Sequence, residues 1–323
     1  MLEDESGRLR LTGSLLGTTQ LATGVIIAAL GTENANGDFE VIDIKVADLP
    51  RQPNRWERDE TSSENKDSRR SKIAFVSGLG ISGTSSDTLG LELLTDYLLG
   101  YTGSSTDPND PSSPGDASSI SRLIIAGSSL ASGVTAEAAA SVDNPAAKKK
   151  TGPKKYGYDA SAYNPSPITH FDSFLAEILP SIPVTLMPGE TDPANYSLPQ
   201  QGIHRAMLPR ARAYCAGPTP PDQENPEPGW LDSVTNPWEG DVEGWRFWGC
   251  SGQNVDDVLR YLDFAEATNA EPSGQDDADD SDARVRIMEA MLRWRTGVPT
   301  APDTLCMSCP GPSLPISISS PYI

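Results

Sequence analysis

Histidine is nearly absent from this chain: His170 and His204 are the only two in 323 residues. A two-metal hydrolytic centre draws several of its ligands from histidine, so this shortage argues against one wherever the loops fall. Cysteine is scarce too. Cys215, Cys250, Cys306 and Cys309 form no disulfide framework, and a reducing compartment fits them. Basic residues are few: Lys and Arg number 25 against 45 Asp and Glu, a net charge of −20. Such a chain repels phosphate backbones. This excludes strong nucleic-acid binding by the chain alone and leaves contact through a basic partner open. No run approaches the ~20 apolar residues of a membrane span, and the acidic start Met1-Leu2-Glu3-Asp4-Glu5 is not a signal peptide. Apolar residues are 37% of the chain, low for a compact globule, while Gly and Pro number 28 each. A core interrupted by long polar insertions accounts for both.

What is present alternates with those insertions. Residues 9–49 carry short apolar runs, Leu21 to Leu30 and Phe39 to Val46, with the hairpin signal Asn36-Gly37-Asp38 between them. They read as the later strands of a small β-barrel, too few to close it, with part of that module upstream of Met1. Residues 51–71 are polar and charged, a linker. Lys72-Ile73-Ala74-Phe75-Val76 predicts a buried strand running into the turn Ser77-Gly78-Leu79-Gly80. A helix follows over 88–99, with Leu91, Leu94 and Leu98 on one face. Arg122-Leu123-Ile124-Ile125-Ala126-Gly127 is a second buried strand. Phe171, Phe174, Leu175, Ile178 and Leu179 make the i, i+3, i+4, i+7, i+8 stripe of a helix. Val184–Met187 is a third strand. Strand, helix, strand, helix, strand predicts an α/β sheet with parallel neighbours. The segments 101–119, 131–167 and the acidic 265–282 read as disordered insertions. Beyond the sheet, Trp245-Arg246-Phe247-Trp248 predicts a strand and Val255 to Leu262 a short helix. Ile287, Met288, Met291 and Leu292 predict a last amphipathic helix ending at Gly297 and Pro299. Cys306–Ile323, rich in Pro and Ser, is a tail without core register.

Several motifs carry possible chemistry, each beside a plainer reading. His204 is a candidate general base, read more simply as structural beside a Pro-rich turn; His170 is read as a helix-terminus residue. Cys306-Met307-Ser308-Cys309 has zinc-like spacing, but a structural zinc needs four ligands and no second pair lies nearby. The cluster Lys148-Lys149-Lys150-Thr151-Gly152-Pro153-Lys154-Lys155 is a nuclear-localisation or nucleic-acid signal, or a solvated loop. Asn195-Tyr196-Ser197 has the form of a glycosylation acceptor and reads as chance. Gly78-Leu79-Gly80-Ile81-Ser82-Gly83 resembles a dinucleotide loop with its third Gly one position early and no helix opening behind it.

Residues 184–204 say most about function. Val184 to Met187, the Pro188-Gly189 turn and Glu190-Thr191-Asp192 are similar to the third metal-site loop of the metallophosphoesterases, where Asn-His-Asp or Asn-His-Glu follows the Pro-Gly position. Other ligand positions of that fold align with Gly78 and Gly80 after the first strand, Ser128 after the second, and Ser251 in Ser251-Gly252. The set Gly78, Gly80, Ser128, Glu190, Thr191, Asp192 and Ser251 is thus read as a vestigial metal site, in which Asp192 alone keeps the acidic side chain expected at its place. No catalytic residue, metal or cofactor is assigned.

Taken together, these turns resemble the small (B) subunits of the replicative DNA polymerases, those of polymerase delta in a fungal form. Met187-Pro188-Gly189-Glu190-Thr191-Asp192-Pro193 with Leu198-Pro199-Gln200-Gln201, Gly249-Cys250-Ser251-Gly252-Gln253-Asn254-Val255, and Pro299-Thr300-Ala301-Pro302-Asp303-Thr304-Leu305 carry the resemblance. It implies a calcineurin-like phosphoesterase sandwich lacking its metal site, over 72–305, preceded by part of an OB-fold β-barrel at 1–50. It implies a non-catalytic scaffold in the nucleus, acting in DNA replication and repair. Its partners would be the cysteine-rich C-terminal domain of the catalytic subunit and a third subunit that contacts the sliding clamp, with DNA met mainly through the complex and no membrane. Both ends depart from the family pattern, and the chain reads as truncated there. Two rivals stand beside this reading. One is a divergent metal-dependent phosphoesterase, motivated by the Pro-Gly loop and Asp192. The other is direct single-strand DNA binding, for which residues 2–49 offer one aromatic, Phe39.

Overall fold

The computed structural model describes residues 1–4, 7–49, 72–84, 88–101, 119–131, 164–215, 229–242, 245–262, 276–301 and 303–305. The expected linker 51–71, the Lys148–Lys155 cluster, most of the three insertions and the Cys306–Ile323 tail lie outside them. In chain order the strands are β1 (Leu2–Asp4), β2 (Gly7–Leu9), β3 (Leu11–Thr12), β4 (Ile27–Glu33), β5 (Phe39–Val46), β6 (Lys72–Val76), β7 (Ile120–Ala126), β8 (Val184–Met187), β9 (Leu231–Ser233), β10 (Trp238–Val242) and β11 (Trp245–Gly249). The helices are α1 (Thr88–Leu98), α2 (Ser166–Ile178), α3 (Gln253–Leu259) and α4 (Asp276–Trp294). No described helix is long and apolar enough to cross a membrane.

The described residues fall into two compact units. Those up to Leu49 group with those from Gly252 onward, and those from Lys72 to Ser251 form the other. The expected division kept 252–305 with the strands before it; the contacts group it with the N-terminal residues.

The unit from Lys72 to Ser251 is built on a four-stranded sheet in the order β6-β7-β8-β9, and every neighbouring pair is parallel. The parallel α/β sheet read from the element order is therefore present. β7 and β8 are mostly apolar, without alternation, and their central residues are buried on both faces. The α2 stripe supplies the cover: Phe171, Leu175, Ile178 and Leu179 are all fully buried, alongside Ile81, Leu123, Ile125 and Leu186. Each such side chain contributes roughly 1.5–3 kcal/mol relative to exposure. From α1, Leu98 is buried and Leu91 and Leu94 pack against the same core. Helix α2 starts at Ser166, inside the expected 131–167 insertion, because Pro167 fits a first turn that needs no amide partner. β9 has only three residues and no alternation of its own. It forms because Trp230 offers its carbonyl to Val184 and Val234 donates to Leu186. β10 and β11 make an antiparallel hairpin, and Phe75 meets Phe247 with ring centroids 5.9 Å apart.

The other unit holds the hairpin β1–β2 and a sheet in the order β3-β5-β4. The Asn36-Gly37-Asp38 turn joins β4 to β5 as its sequence predicts: the Asn34 and Asp38 backbones bond at 2.9 Å, and the Asn34 side chain accepts from the Asn36 and Asp38 amides. Of the Leu21–Leu30 run only the part from Ile27 is strand. Ala22 and Val25 instead pack with Val255, Val258, Ile287, Met291 and Trp294. The last helix differs from its reading in three ways. It begins at Asp276, within the expected 265–282 insertion. Its buried stripe is Ile287, Met291 and Trp294, while Met288 is exposed. It ends at Trp294 rather than at Gly297, because Arg295 takes the left-handed capping conformation with φ 54° and Thr296 donates back to Met291. The Arg295 guanidinium bonds the Asp48 carbonyl, which anchors a residue that glycine usually supplies.

Candidate functional site

The carboxyl ends of β6, β7 and β8, with the turn before α3, bring Gly78, Gly80, Ser128, Thr191, Asp192 and Ser251 into one bonded set of loops. Crevices outside the carboxyl ends of parallel strands are where α/β folds place their ligands. The β6 loop lies alongside the β7 loop: Gly78, Gly80 and Ile81 donate to the carbonyls of Gly127, Ser128 and Ser129 at 3.2, 3.3 and 2.9 Å. Gly78 and Gly80 are exposed and both have positive φ, 67° and 58°. Ile81 is fully buried and Gly83 backs onto Ser166 and Pro167, so this glycine run is a packed turn rather than a nucleotide loop.

Close approach explains the glycines at the strand ends. A Cβ on Gly127 would stand 2.5 Å from Ser251 Cβ and 2.9 Å from Gly189 Cα. One on Gly189 would overlap the Ser128 amide nitrogen. Residue 128 itself is a serine with φ 54°, a conformation that L side chains adopt only at a cost.

Asp192 is the buried acid of the set, 6% exposed. Its Oδ1 accepts from the Leu130 amide at 3.0 Å and its Oδ2 from the Gly189 amide at 2.8 Å. Burial raises its pKa above the ordinary carboxyl value, and the amides of Leu130, Gly189, Ser129 and Ser128 oppose that rise. Thr191 is half-buried with an unpartnered Oγ1, and Glu190 is exposed. Ser251 accepts from Asn236 Nδ2 at 2.6 Å, and its amide donates to Asn236 Oδ1. Asn236 also donates to Gln200 Oε1 at 2.8 Å, and Gln200 donates to the Gly189 carbonyl at 3.2 Å. Asn236 and Gln200 are 1% and 2% exposed, so the loop after β8 and the turn after β11 are joined through two buried amides. Asn236 was not singled out from the sequence.

The other candidates fall elsewhere. His204 is exposed and caps the short turn Arg205–Met207, its Nδ1 accepting from Ala206. His170 is half-buried within α2 rather than at its terminus. Cys215 and Cys250 take part in no disulfide; burial raises the Cys215 pKa, Arg205 lowers it and Asp232 raises it further. Cys306 and Cys309 lie outside the described residues. Arg122, buried in β7, donates to Thr185 Oγ1 and the Gly229 carbonyl; burial raises the Asp232 pKa and Arg122 opposes that rise. Among the described residues no three His, Cys, Asp or Glu side chains gather as a metal would require.

The remaining sequence motifs meet in the other unit. Asn254 and Asp257, one turn apart on α3, face residues 297–304. Asn254 donates to the Gly297 carbonyl, and Asp257 Oδ2 accepts from the Thr300 and Thr304 hydroxyls. Asp257 Oδ1 has no hydrogen bond and stands 3.6 Å from the Arg260 guanidinium. α3 and the segment 297–304 are thus linked by three hydrogen bonds.

Comparison with known proteins gives two family matches. Residues 73–315 match the model described as the B subunit of DNA polymerase alpha/epsilon, a match that runs past Leu305. Residues 1–44 match the one described as DNA polymerase delta subunit OB-fold domain. The chain is 34% identical over 318 residues to the DNA polymerase delta small subunit of Saccharomyces cerevisiae, covering 94% of this chain and 55% of that protein. It is 33% identical over 310 residues to the protein of the same name from Oryza sativa subsp. japonica, covering 94% and 57%. It is 31% identical over 306 residues to DNA polymerase delta subunit 2 of Drosophila melanogaster, covering 94% and 57%. The chain spans about half the length of the curated relatives it matches. A mixed α/β chain, matched over most of its length by one family model and at its start by an OB-fold model, belongs to the family of DNA polymerase alpha/epsilon B subunits.

Proposed function

We propose that this chain is a non-catalytic accessory subunit of DNA polymerase delta, serving nuclear DNA replication and repair. In this reading residues 1–50 are the later part of an OB-type module. Residues 72–305 are a calcineurin-like phosphoesterase sandwich without its metal site, kept as a scaffold. The chain bridges the cysteine-rich C-terminal domain of the catalytic subunit to a third subunit. It meets the sliding clamp and DNA mainly through the complex.

The observation that carries this is the chemistry left at the strand ends. Gly78, Gly80 and Ser128 offer no strong metal ligand, and both Asp192 oxygens are engaged by backbone amides. A two-metal hydrolase needs charged and imidazole ligands at those positions to generate its hydroxide. The relatives' printed names agree, and a net charge of −20 suits protein contacts better than phosphate contacts.

The test is co-expression of the full 323-residue chain with the C-terminal domain of the polymerase delta catalytic subunit, followed by size-exclusion chromatography. A stable co-eluting complex is the expected result. A folded chain that elutes alone would overturn the proposal, as would manganese-stimulated phosphodiester hydrolysis that disappears in Asp192→Ala.

A further inference from the structure

The loop after β7 turns its two sets of backbone groups in different directions. Its carbonyls, on Gly127, Ser128 and Ser129, accept from the loop after β6. Its Leu130 amide donates to Asp192, which a separate loop 62 residues away brings in. Gly127 and Ser128, with φ values of 83° and 54°, turn the chain as it leaves β7. Backbone amides exposed in such turns bind anions. The Gly189 amide meets the other Asp192 oxygen at 2.8 Å.

We propose that the amides of Leu130 and Gly189 form an anion-binding nest, and that the chain fills it with its own carboxylate, Asp192. The ligand class is a small carboxylate, with formate the smallest match once the Asp192 side chain is removed. The buried anion ties the β7 loop to the β8 loop and keeps the crevice from accepting a phosphoester. This site follows from the geometry of these loops and does not depend on which complex the chain joins.

Several features separate a nest from mere space-filling. The bonds are directional, each carboxylate oxygen meeting an amide at 2.8 or 3.0 Å. The groups opposing the burial of the charge are all backbone amides, with no cation among them. Gly189 is confined to glycine by the approach of Ser128, so the donor on the far side is held in place.

The test is thermal unfolding of the full chain carrying Asp192→Ala, in sodium formate and in sodium chloride of equal ionic strength near neutral pH. The variant is expected to melt several degrees below the parent in chloride and to regain most of that loss in formate. The parent, Asp192→Asn and an Asn236→Ala control should show no selective gain from formate, because in each the nest is still filled. A formate effect equal in all four proteins, or absent from Asp192→Ala, would overturn the proposal. Should Asp192→Ala fail to fold, hydrogen exchange on the parent decides. The Leu130 and Gly189 amides are then expected to be protected, since their acceptor is the Asp192 side chain; exchange at the rate of free amides would overturn it.

Discussion

At the carboxyl end of the four-stranded parallel sheet, polar side chains are buried and bond to one another and to the backbone. On the outer face of the β4–β5 pair, Leu30 and Ile42 are each 64% exposed to solvent. The two regions invert the usual rule that apolar groups go inside and polar groups outside, and they do so for different reasons. In the first, most of the buried polar side chains gain partners that offset their desolvation, with the Ser129 and Thr191 hydroxyls as exceptions. Asp192 meets amides, and Asn236 meets Gln200 and Ser251. In the second, alternation sends Leu30 outward and a break in the β4–β5 register leaves Ile42 outward beside Asp43, so each contributes little to its own unit. Exposure of a side chain therefore says nothing of its value unless its partners are known.

Three variants sharpen this contrast, from the largest effect to the smallest. Phe171→Ala, at a fully buried α2 position, is expected to cost about 3–5 kcal/mol by urea unfolding. A loss near zero would mean that α2 does not cover the parallel sheet. Asn236→Ala removes the side-chain bonds to Gln200 and Ser251 and should cost about 1–3 kcal/mol, with the unfolding slope unchanged. A neutral result would show the buried amides to be dispensable. The double change Leu30→Thr with Ile42→Thr should shift stability by no more than about 0.5 kcal/mol per site, since both side chains already stand in water. If it instead matched Phe171→Ala, the outer face of β4 and β5 would be a true core surface and the comparison would fail.

Much of this was legible in the residues. The α2 stripe from Phe171 to Leu179 and the β8 run Val184–Met187 read correctly because helix and strand periods are local properties. The Asn36-Gly37-Asp38 turn was readable for the same reason: glycine at positive φ is a single-residue signal. β9 was not, because three residues carry no period and its strand exists only through pairing with β8. Met288 was assigned to the buried face of α4 because a window of four apolar residues fits more than one helical face. The packing of Ile287, Met291 and Trp294 chose between them.

By itself the sequence determined what chemistry this chain can hold. Two histidines and a net charge of −20 bound it, and the Pro-Gly loop with Asp192 marked the family. These depend on residue type and on neighbours a few positions away. Only the tertiary structure decided what Asp192 does. One of its oxygens meets an amide 62 residues earlier in the chain, and Ser251 meets Asn236 from 15 residues away. Such partnerships are set by the path of the backbone through the sheet, which brings separate loop segments within hydrogen-bonding distance. No local pattern encodes that path, because hydrogen bonds between segments depend on where the strands end in space rather than on which residues follow one another.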